Sequence, residues 1–417
     1  MKKRIIFHID VNSAYLSWEA VYRLQHGDTV DLREIPSVVG GDEETRHGIV
    51  LAKSIPAKKF KIKTGETLWQ ARQKCPGLVV VRPNYYLYMQ CSSALLNLLR
   101  DYSDRIQPFS IDEFFLDFTG MEKVFRDDAV TVANKIRERI KKELGFTVNI
   151  GISSNKLLAK MGSELKKPDM VHTLFPEEIP YKLWPLPVED LFMVGRATAP
   201  KLHSMGIYTI GDLARCDIEL LKYKLKSWGI TLWNFANGIE DSSVRSHGRI
   251  SNIKGIGNST TIRFDVEDRE TAHKVLLSLV ETVAMRLRHE GFCCRVVAVS
   301  IKTKDLYSFS HQRKLEVPTD CTNAIFAETK KLFDEAWKGE PIRHLGVRVS
   351  DLYRDDSVQL SLFCKDWDKQ LKIDRAIDDI RLKYGPRSVI RSTFLQSGIN
   401  PLQGGVVEDF PIMSSIL

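Results

Sequence analysis

Asp112 and Glu113 stand side by side between two apolar stretches, Ile106-Gln107-Pro108-Phe109 and Phe114-Phe115-Leu116. The pattern predicts a short hairpin whose turn, Ser110-Ile111-Asp112-Glu113, carries two adjacent carboxylates at its tip. Like charges this close repel, and desolvation beside aromatic rings adds to the cost, unless a divalent cation takes up the charge. A third acid, Asp10, ends the apolar run Arg4-Ile5-Ile6-Phe7-His8-Ile9-Asp10, which predicts a strand buried on both faces. Three carboxylates on two neighbouring strands are what two-metal phosphoryl transfer requires. One cation lowers the pKa of an attacking hydroxyl, and the other holds a triphosphate and stabilises the leaving pyrophosphate. For Asp112 and Glu113 taken alone, a solvated acidic turn is the plain alternative.

Those acids need elements that bring them together. After Asp10, Asn12-Ser13 predicts the cap of a helix through Tyr15, Trp18, Glu19 and Tyr22 to Gly27. Residues 28 to 82 are short pieces rich in Gly, Pro and Lys, a small insertion without a large core. A helical pattern resumes near Tyr86 and leads to the carboxylate hairpin. Val130, Ala133, Ile136, Ile140 and Leu144 then mark one face of an amphipathic helix. Phe146 to Ile150 reads as a strand, and Ser153-Ser154-Asn155 opens a helix that stops before Pro168. The order strand, helix, hairpin, helix, strand is an α+β unit with an antiparallel component, in which the end of the first strand can lie beside the hairpin tip.

Residues 175 to 240 read as short helices. Met193 to Leu202, followed by Met205-Gly206-Ile207 and Ile210-Gly211-Asp212-Leu213, predicts helix, tight turn, helix. Such turns present backbone N–H groups that suit phosphates, although a plain helical hairpin has the same pattern. The Ser-rich stretch Asp241 to Arg249 reads as a linker. Beyond it the order βαββαβ predicts a four-stranded sheet with both helices on one face. Val297, Val299 and Ile301 alternate with Ala298, Ser300 and Lys302, and Leu345, Val347 and Val349 alternate with His344, Gly346 and Arg348. The uncovered face is therefore polar and basic, a candidate platform for a phosphate backbone. The tail from 353 holds Gln359-Leu360-Ser361-Leu362-Phe363, and then a helical pattern with Trp367, Leu371, Ile377, Ile380 and Tyr384. A helix packing back on the sheet domain and a site for another partner fit that last pattern equally.

At 417 residues the chain is too long for one core. Lys and Arg exceed Asp and Glu by 61 − 53 = 8, a balance that favours a polyanionic partner. Seven scattered cysteines without metal spacing read as reduced thiols of a cytoplasmic protein, and no apolar run predicts a membrane span or a signal segment.

Several motifs together resemble the Y-family, translesion DNA polymerases of the bacterial polymerase IV and polymerase V type (ImpB/MucB/SamB-like). They are His8-Ile9-Asp10-Val11-Asn12-Ser13-Ala14-Tyr15, Ser110-Ile111-Asp112-Glu113, Gly151-Ile152-Ser153-Ser154-Asn155-Lys156 with Leu158-Ala159-Lys160, Lys167-Pro168, and the glycine-marked hairpin. The resemblance spans about residues 4 to 363. It implies a multidomain right-hand fold of α+β class: a catalytic palm from residues 1–13 and 83–174, small fingers 14–82, and a helical thumb 175–240 with a helix-hairpin-helix. A linker 241–252, a βαββαβ little finger 253–352 and a tail 353–417 would follow. In such enzymes Asp10, Asp112, Glu113 and the Val11 carbonyl bind two Mg²⁺ ions, Tyr15 is the steric gate against ribonucleotides, and Lys167 binds the dNTP triphosphate. By the same resemblance Gln359, Leu360, Leu362 and Phe363 dock on the sliding clamp (beta subunit). The implied enzyme is a low-fidelity DNA-directed DNA polymerase, a monomer acting on primer-template DNA at the nucleoid.

The chain also departs from that pattern. A Tyr and, three residues later, an Arg usually clamp the triphosphate from the fingers, and the matching positions are Ile55 and Lys58. Lys58 supplies a point charge without the fork of Arg, and Ile55 cannot hydrogen-bond. Met193 stands where the thumb hairpin commonly has its first glycine. Two other functions share part of the pattern. A catalytically inactive accessory protein would bind DNA and clamp alone, which the intact acids argue against. A nucleotidyl cyclase on a similar palm would explain the acids but not the thumb hairpin, the basic sheet or the clamp-like peptide.

Overall fold

A computed structural model of the chain describes residues 4–44, 46–245, 253–354 and 367–402. They divide into two compact units. The first runs to Gly40 and from Val50 through residue 245, and the second holds Gly41–Ile49 with the described residues from 253 onward. The strands are β1 (Ile6–Val11), β2 (Ser37–Gly40), β3 (Val50–Lys53), β4 (Val79–Val81), β5 (Ile106–Pro108), β6 (Glu113–Asp117), β7 (Val148–Ser153), β8 (Val171–Thr173), β9 (Gly255–Val266), β10 (Phe292–Thr303), β11 (Ser308–Thr319) and β12 (Ile342–Arg354).

In the first unit β1 is the central strand of a sheet ordered β5-β6-β1-β7-β8, and every residue of it is buried. Because side chains alternate along a strand, Phe7, Ile9 and Val11 take one face and Ile6, His8 and Asp10 the other. The first set packs with Trp18, Leu95, Leu99, Ile136 and Ile140 of the helices Ala14–Gln25, Tyr85–Leu99 and Ala129–Leu144. Each such fully buried apolar side chain contributes roughly 1.5–3 kcal/mol. On the opposite face the helix Lys156–Glu164 lies directly on the sheet, with Ala159 packed among Ile6, Phe109 and Phe115. Gly151 of β7 permits that approach: a Cβ there would fall 1.9 Å from the Ala159 carbonyl oxygen and 2.4 Å from the Ser163 nitrogen.

The segment after the first helix forms the sheet β3-β2-β4 over a small core of Val38, Val50, Ala57, Ile62, Leu68 and Ala71. The short helices between Pro176 and Ala236 gather around Leu202, Ile210, Leu213, Leu221 and Leu232. Residues 240–245 pack on the first unit. Val244 is buried among Ile6, Phe109 and Phe115, Arg4 donates to the Ser242 carbonyl at 2.8 Å, and the Arg245 N–H donates to Gln107 at 3.1 Å.

The second unit has the predicted βαββαβ order and a wholly antiparallel sheet, β11-β10-β12-β9. Its inner side chains Val297, Val299, Ile301, Leu345, Val347 and Val349 pack against the helices Arg269–His289 and Thr322–Ala336. The segment Gly41–Ile49 lies between β2 and β3 in sequence, yet Arg46 bonds Asp265 at 2.6 Å in this second unit. The tail helix Trp367–Tyr384 packs back on this unit through charge. Arg288 pairs with Asp378 at 2.6 Å and Asp374 at 3.4 Å, while Glu281 pairs with Arg381 at 3.4 Å and Arg391 at 2.7 Å.

One local expectation, the Asn12-Ser13 helix cap, is corrected. Ser13 precedes the first helix in the left-handed region (φ 50°) and makes no side-chain cap, and Asn12 does not cap it either. The Asn12 side chain is instead committed to Thr147, Asn149 and the Asp169 N–H. No described helix is long and apolar enough to cross a membrane, and the six described cysteines form no disulfide.

Candidate active site

The antiparallel pairing of β1 with β6 sets Asp10 directly opposite Glu113, and β7 sets Asn149 on its other side. Asp112 lies in the turn just before β6. Its carbonyl accepts the Val11 N–H at 3.1 Å, and its carboxylate accepts the Ser110 hydroxyl at 2.6 Å. Asp10 is buried, and that burial pushes its carboxyl up to about 7 despite the opposing pull of Lys167. Among the described residues no three His, Cys, Asp or Glu side chains converge closely enough as placed to hold a metal ion. Each member of the Asp10–Glu113 pair is instead capped by an ammonium group, Lys167 on Asp10 and Lys160 on Glu113.

Both lysines are positioned by groups that sequence reasoning did not single out as site residues. Lys160 comes from the helix that Gly151 admits, and its ammonium lies over the rings of Phe109 (5.1 Å) and Phe192 (5.6 Å). Lys167 sits on a loop fixed from both sides. Asn149 donates to the Lys166 carbonyl at 2.6 Å, and Asn12 accepts the Asp169 N–H at 2.9 Å. His8 lies beneath the acids with Nδ1 2.8 Å from the Ser163 hydroxyl and Nε2 3.6 Å from Glu113. Complete burial, with Lys160 and Lys167 nearby, lowers its pKa well below the usual histidine value, so it is neutral. The motif residues Gly151 and Lys160 were the legible signals; nothing in spacing alone points to Asn149 or Ser163.

Beside Lys167 lies a cavity of about 200 Å³, lined by Asn12, Ser13, Leu16, Arg33, Ser54, Ile55, Lys58 and Thr147 among others. Lys58 and Lys167 are thus brought to one cavity, and Ile55, 49% exposed, takes a place in its wall. The N-terminal end of the helix Ala14–Gln25 reaches the same cavity, and its first-turn N–H groups have no side-chain cap. Uncapped N–H groups with two lysines suit a phosphate chain.

Tyr15 is half-buried, stacked on Tyr88 with centroids 4.5 Å apart, and edge-on to Tyr85 at 6.1 Å. Burial, with Asp112 and Tyr85 nearby, pushes its phenol up to about 12. Tyr88 is anchored in turn by its hydroxyl bond to Glu19 at 2.8 Å.

Farther from the acids, the hairpin of the helical segment consists of helices Ala199–His203 and Ile210–Arg215 around Gly206. Met193 adopts φ 77°, the left-handed backbone that glycine takes without strain. On the second unit's sheet, Ser300 is paired with Gly346, which is paired with Ser259. This small-residue centre is flanked by Lys302, His344 and Arg348 at neighbouring register positions. Gln359, Leu360, Leu362 and Phe363 lie outside the described residues.

Comparison with known proteins follows the same residues. The impB/mucB/samB family matches residues 9–164, its C-terminal domain matches 253–362, and the family's HHH motif matches 176–207. DNA polymerase IV of Clostridium acetobutylicum is 47% identical over 94% of this chain and 98% of its own length. DNA polymerase IV of Acetivibrio thermocellus is 43% identical over 95% and 99%. Among solved structures, a Y-family DNA polymerase chimera superposes with a TM-score of 0.69 at 21% identity, covering 84% of this chain and 99% of that one. DinB from Sulfolobus solfataricus gives 0.55 at 22% identity, over 83% and 98%. These two share the fold. Three family matches in chain order and relatives of 43–47% identity over nearly the whole chain show that it belongs to the impB/mucB/samB family.

Proposed function

We propose that this chain is a template-directed DNA polymerase of low fidelity, which extends primers past damaged template bases with dNTPs and two Mg²⁺ ions. The observation that carries the reading is the Asp10–Glu113 pair facing the loop of Lys167, whose side chain also lines the cavity of Lys58. The donor set fits hard divalent cations: carboxylates of Asp10, Asp112 and Glu113, and the Val11 carbonyl. The ammonium groups on Asp10 and Glu113 stand where positive charge is needed. Such cations, when bound, supply activation of the primer hydroxyl and charge compensation on the leaving pyrophosphate.

The chain's own residues do the rest. Lys58, Lys167 and the uncapped helix end hold the triphosphate, and Tyr15, fixed by Tyr88, packs beneath the sugar. The fingers' small core closes loosely over the nascent pair, which favours tolerance over fidelity. The polar face of the little-finger sheet and the thumb hairpin take the phosphate backbone of primer-template DNA. Gln359, Leu360, Leu362 and Phe363 dock the enzyme on the sliding clamp as an otherwise monomeric cytoplasmic protein.

Primer extension with Mg²⁺ and dNTPs, run beside Asp112→Ala, tests the reading. Extension by the intact protein and none by the variant is expected. An inert wild-type protein would overturn the polymerase reading, and an unimpaired variant would overturn the metal assignment.

A further inference from the structure

Lys167 has two anionic claimants within reach of one side chain. Its ammonium is bonded to Asp10 and lies 2.9 Å from Glu164, while the same side chain forms part of the cavity wall with Ser13 and Lys58. The backbone around it is held by Asn149 and Asn12, so the freedom left belongs to the side chain, which is 31% exposed. Lys160 differs. It is 12% exposed and lies over Phe109 and Phe192, which keep it on Glu113. Among the described residues Lys167 is the cation bonded to Asp10, and at 9% side-chain exposure the carboxylate has little water to offset the loss of that charge.

From this we infer that Lys167 is an exchange residue, holding Asp10 closed to divalent cations until a nucleotide draws its ammonium into the cavity. A triphosphate in the cavity takes Lys167, and the bare Asp10 carboxylate then takes a cation. A cation at Asp10 conversely releases Lys167 to the nucleotide. By reciprocity each ligand raises the affinity of the other by the same factor. Glu113, neutralised by a fixed lysine, takes no part in this exchange. The inference rests on the proposed metal and triphosphate sites and adds that their filling is coupled through one side chain.

The test measures binding without turnover. Mn²⁺ binding to the nucleotide-free full chain is followed by the electron paramagnetic resonance of the free ion. Lys167→Met is expected to bind Mn²⁺ about tenfold more tightly, as removal of a contacting like charge requires. Lys58→Met, which removes a charge of the same sign from the same cavity without touching Asp10, should change it less than about twofold on the same grounds. Equal effects of the two variants, or no effect of Lys167→Met, would overturn the exchange. The reciprocal arm measures dNTP binding in EDTA. Asp10→Asn should tighten it in the wild-type background and leave it unchanged in the Lys167→Met background, the signature of a coupled pair. An Asp10→Asn effect that persists without Lys167 would count against the exchange. If Asp112→Ala binds Mn²⁺ as the wild type does, the metal reading itself fails, an outcome distinct from failure of the lysine exchange. Lys167→Gln, with thermal unfolding of each variant, separates these effects from misfolding.

Discussion

Tyr15 and Tyr88 stack nearly face to face, with ring planes 9° from parallel and centroids 4.5 Å apart. The proposed gate is therefore only as rigid as the ring behind it. Tyr15→Ala is expected to admit ribonucleotides, lowering dNTP-over-rNTP discrimination by on the order of 10². Tyr88→Leu should lower it by a smaller factor, and Tyr88→Phe, which keeps the stack, less still. Competitive incorporation of dNTP and rNTP measures the series, and unchanged discrimination in Tyr15→Ala would place the gate elsewhere.

Ile55 and Lys58 line the cavity at the positions where the resemblance drawn from the motifs leads one to expect Tyr and Arg. Ile55→Tyr with Lys58→Arg restores a hydroxyl and a bidentate fork, and should lower the KM for dNTP by about tenfold, equivalent to ~1.4 kcal/mol. Steady-state kinetics on an undamaged template provide the measurement. A KM that stays the same or rises would mean that this cavity does not hold the triphosphate.

Lys156 is wholly buried, with the Gln107 amide oxygen 3.4 Å from its ammonium and the Phe115 ring centroid 5.8 Å from it. Burial lowers its pKa to about 8, although Glu240 opposes the shift. The native state thus sheds a proton near pH 8 that the unfolded chain keeps until the ordinary lysine value near 10.5. Stability contributed by this site rises with pH across that window. Lys156→Met should raise Tm at pH 7, and its advantage over wild type should shrink between pH 8 and 10. A difference constant with pH would contradict the argument.

Arg288 is buried between Asp374 and Asp378 of the tail helix. Arg288→Met leaves two buried carboxylates without their cation and should cost about 3–5 kcal/mol. Denaturant unfolding of the full chain checks this, and a loss below about 1 kcal/mol would show the network to be solvent-screened.

Leu362→Ala with Phe363→Ala should abolish binding to the sliding clamp and leave extension of short templates nearly intact. Clamp binding by the double variant equal to that of the wild type would remove the peptide's proposed role. Lost extension would indicate a structural role instead.

The strands and the acids were legible because their signals are local. The apolar run ending in Asp10 and the hairpin around Asp112 and Glu113 each fit within ten residues, and β1 and β6 pair as that pattern requires. The alternation in β10 and β12 was legible for the same reason. The lysines' partners were not, because a pair such as Lys160–Glu113 or Lys167–Asp10 joins residues 47 or 157 positions apart and depends on side-chain direction. The tail helix was ambiguous since most of its buried residues, Asp374, Asp378 and Arg381 beside Leu371, are charged, and an apolar-stripe reading looks for the opposite. Asn12 and Ser13 have the right residue types for a helix cap, but tertiary bonds to Thr147, Asn149 and Asp169 claimed Asn12 first.

Gly151 carries no functional group, yet the contact it allows leaves strand β7 and the helix of Lys160 no slack. Even one methyl there must lever the helix away from the sheet, and Lys160 and Ser163 would travel with it. A genetic screen for loss of polymerase function would therefore score this glycine alongside the acids, and an inventory of reactive side chains would pass it over.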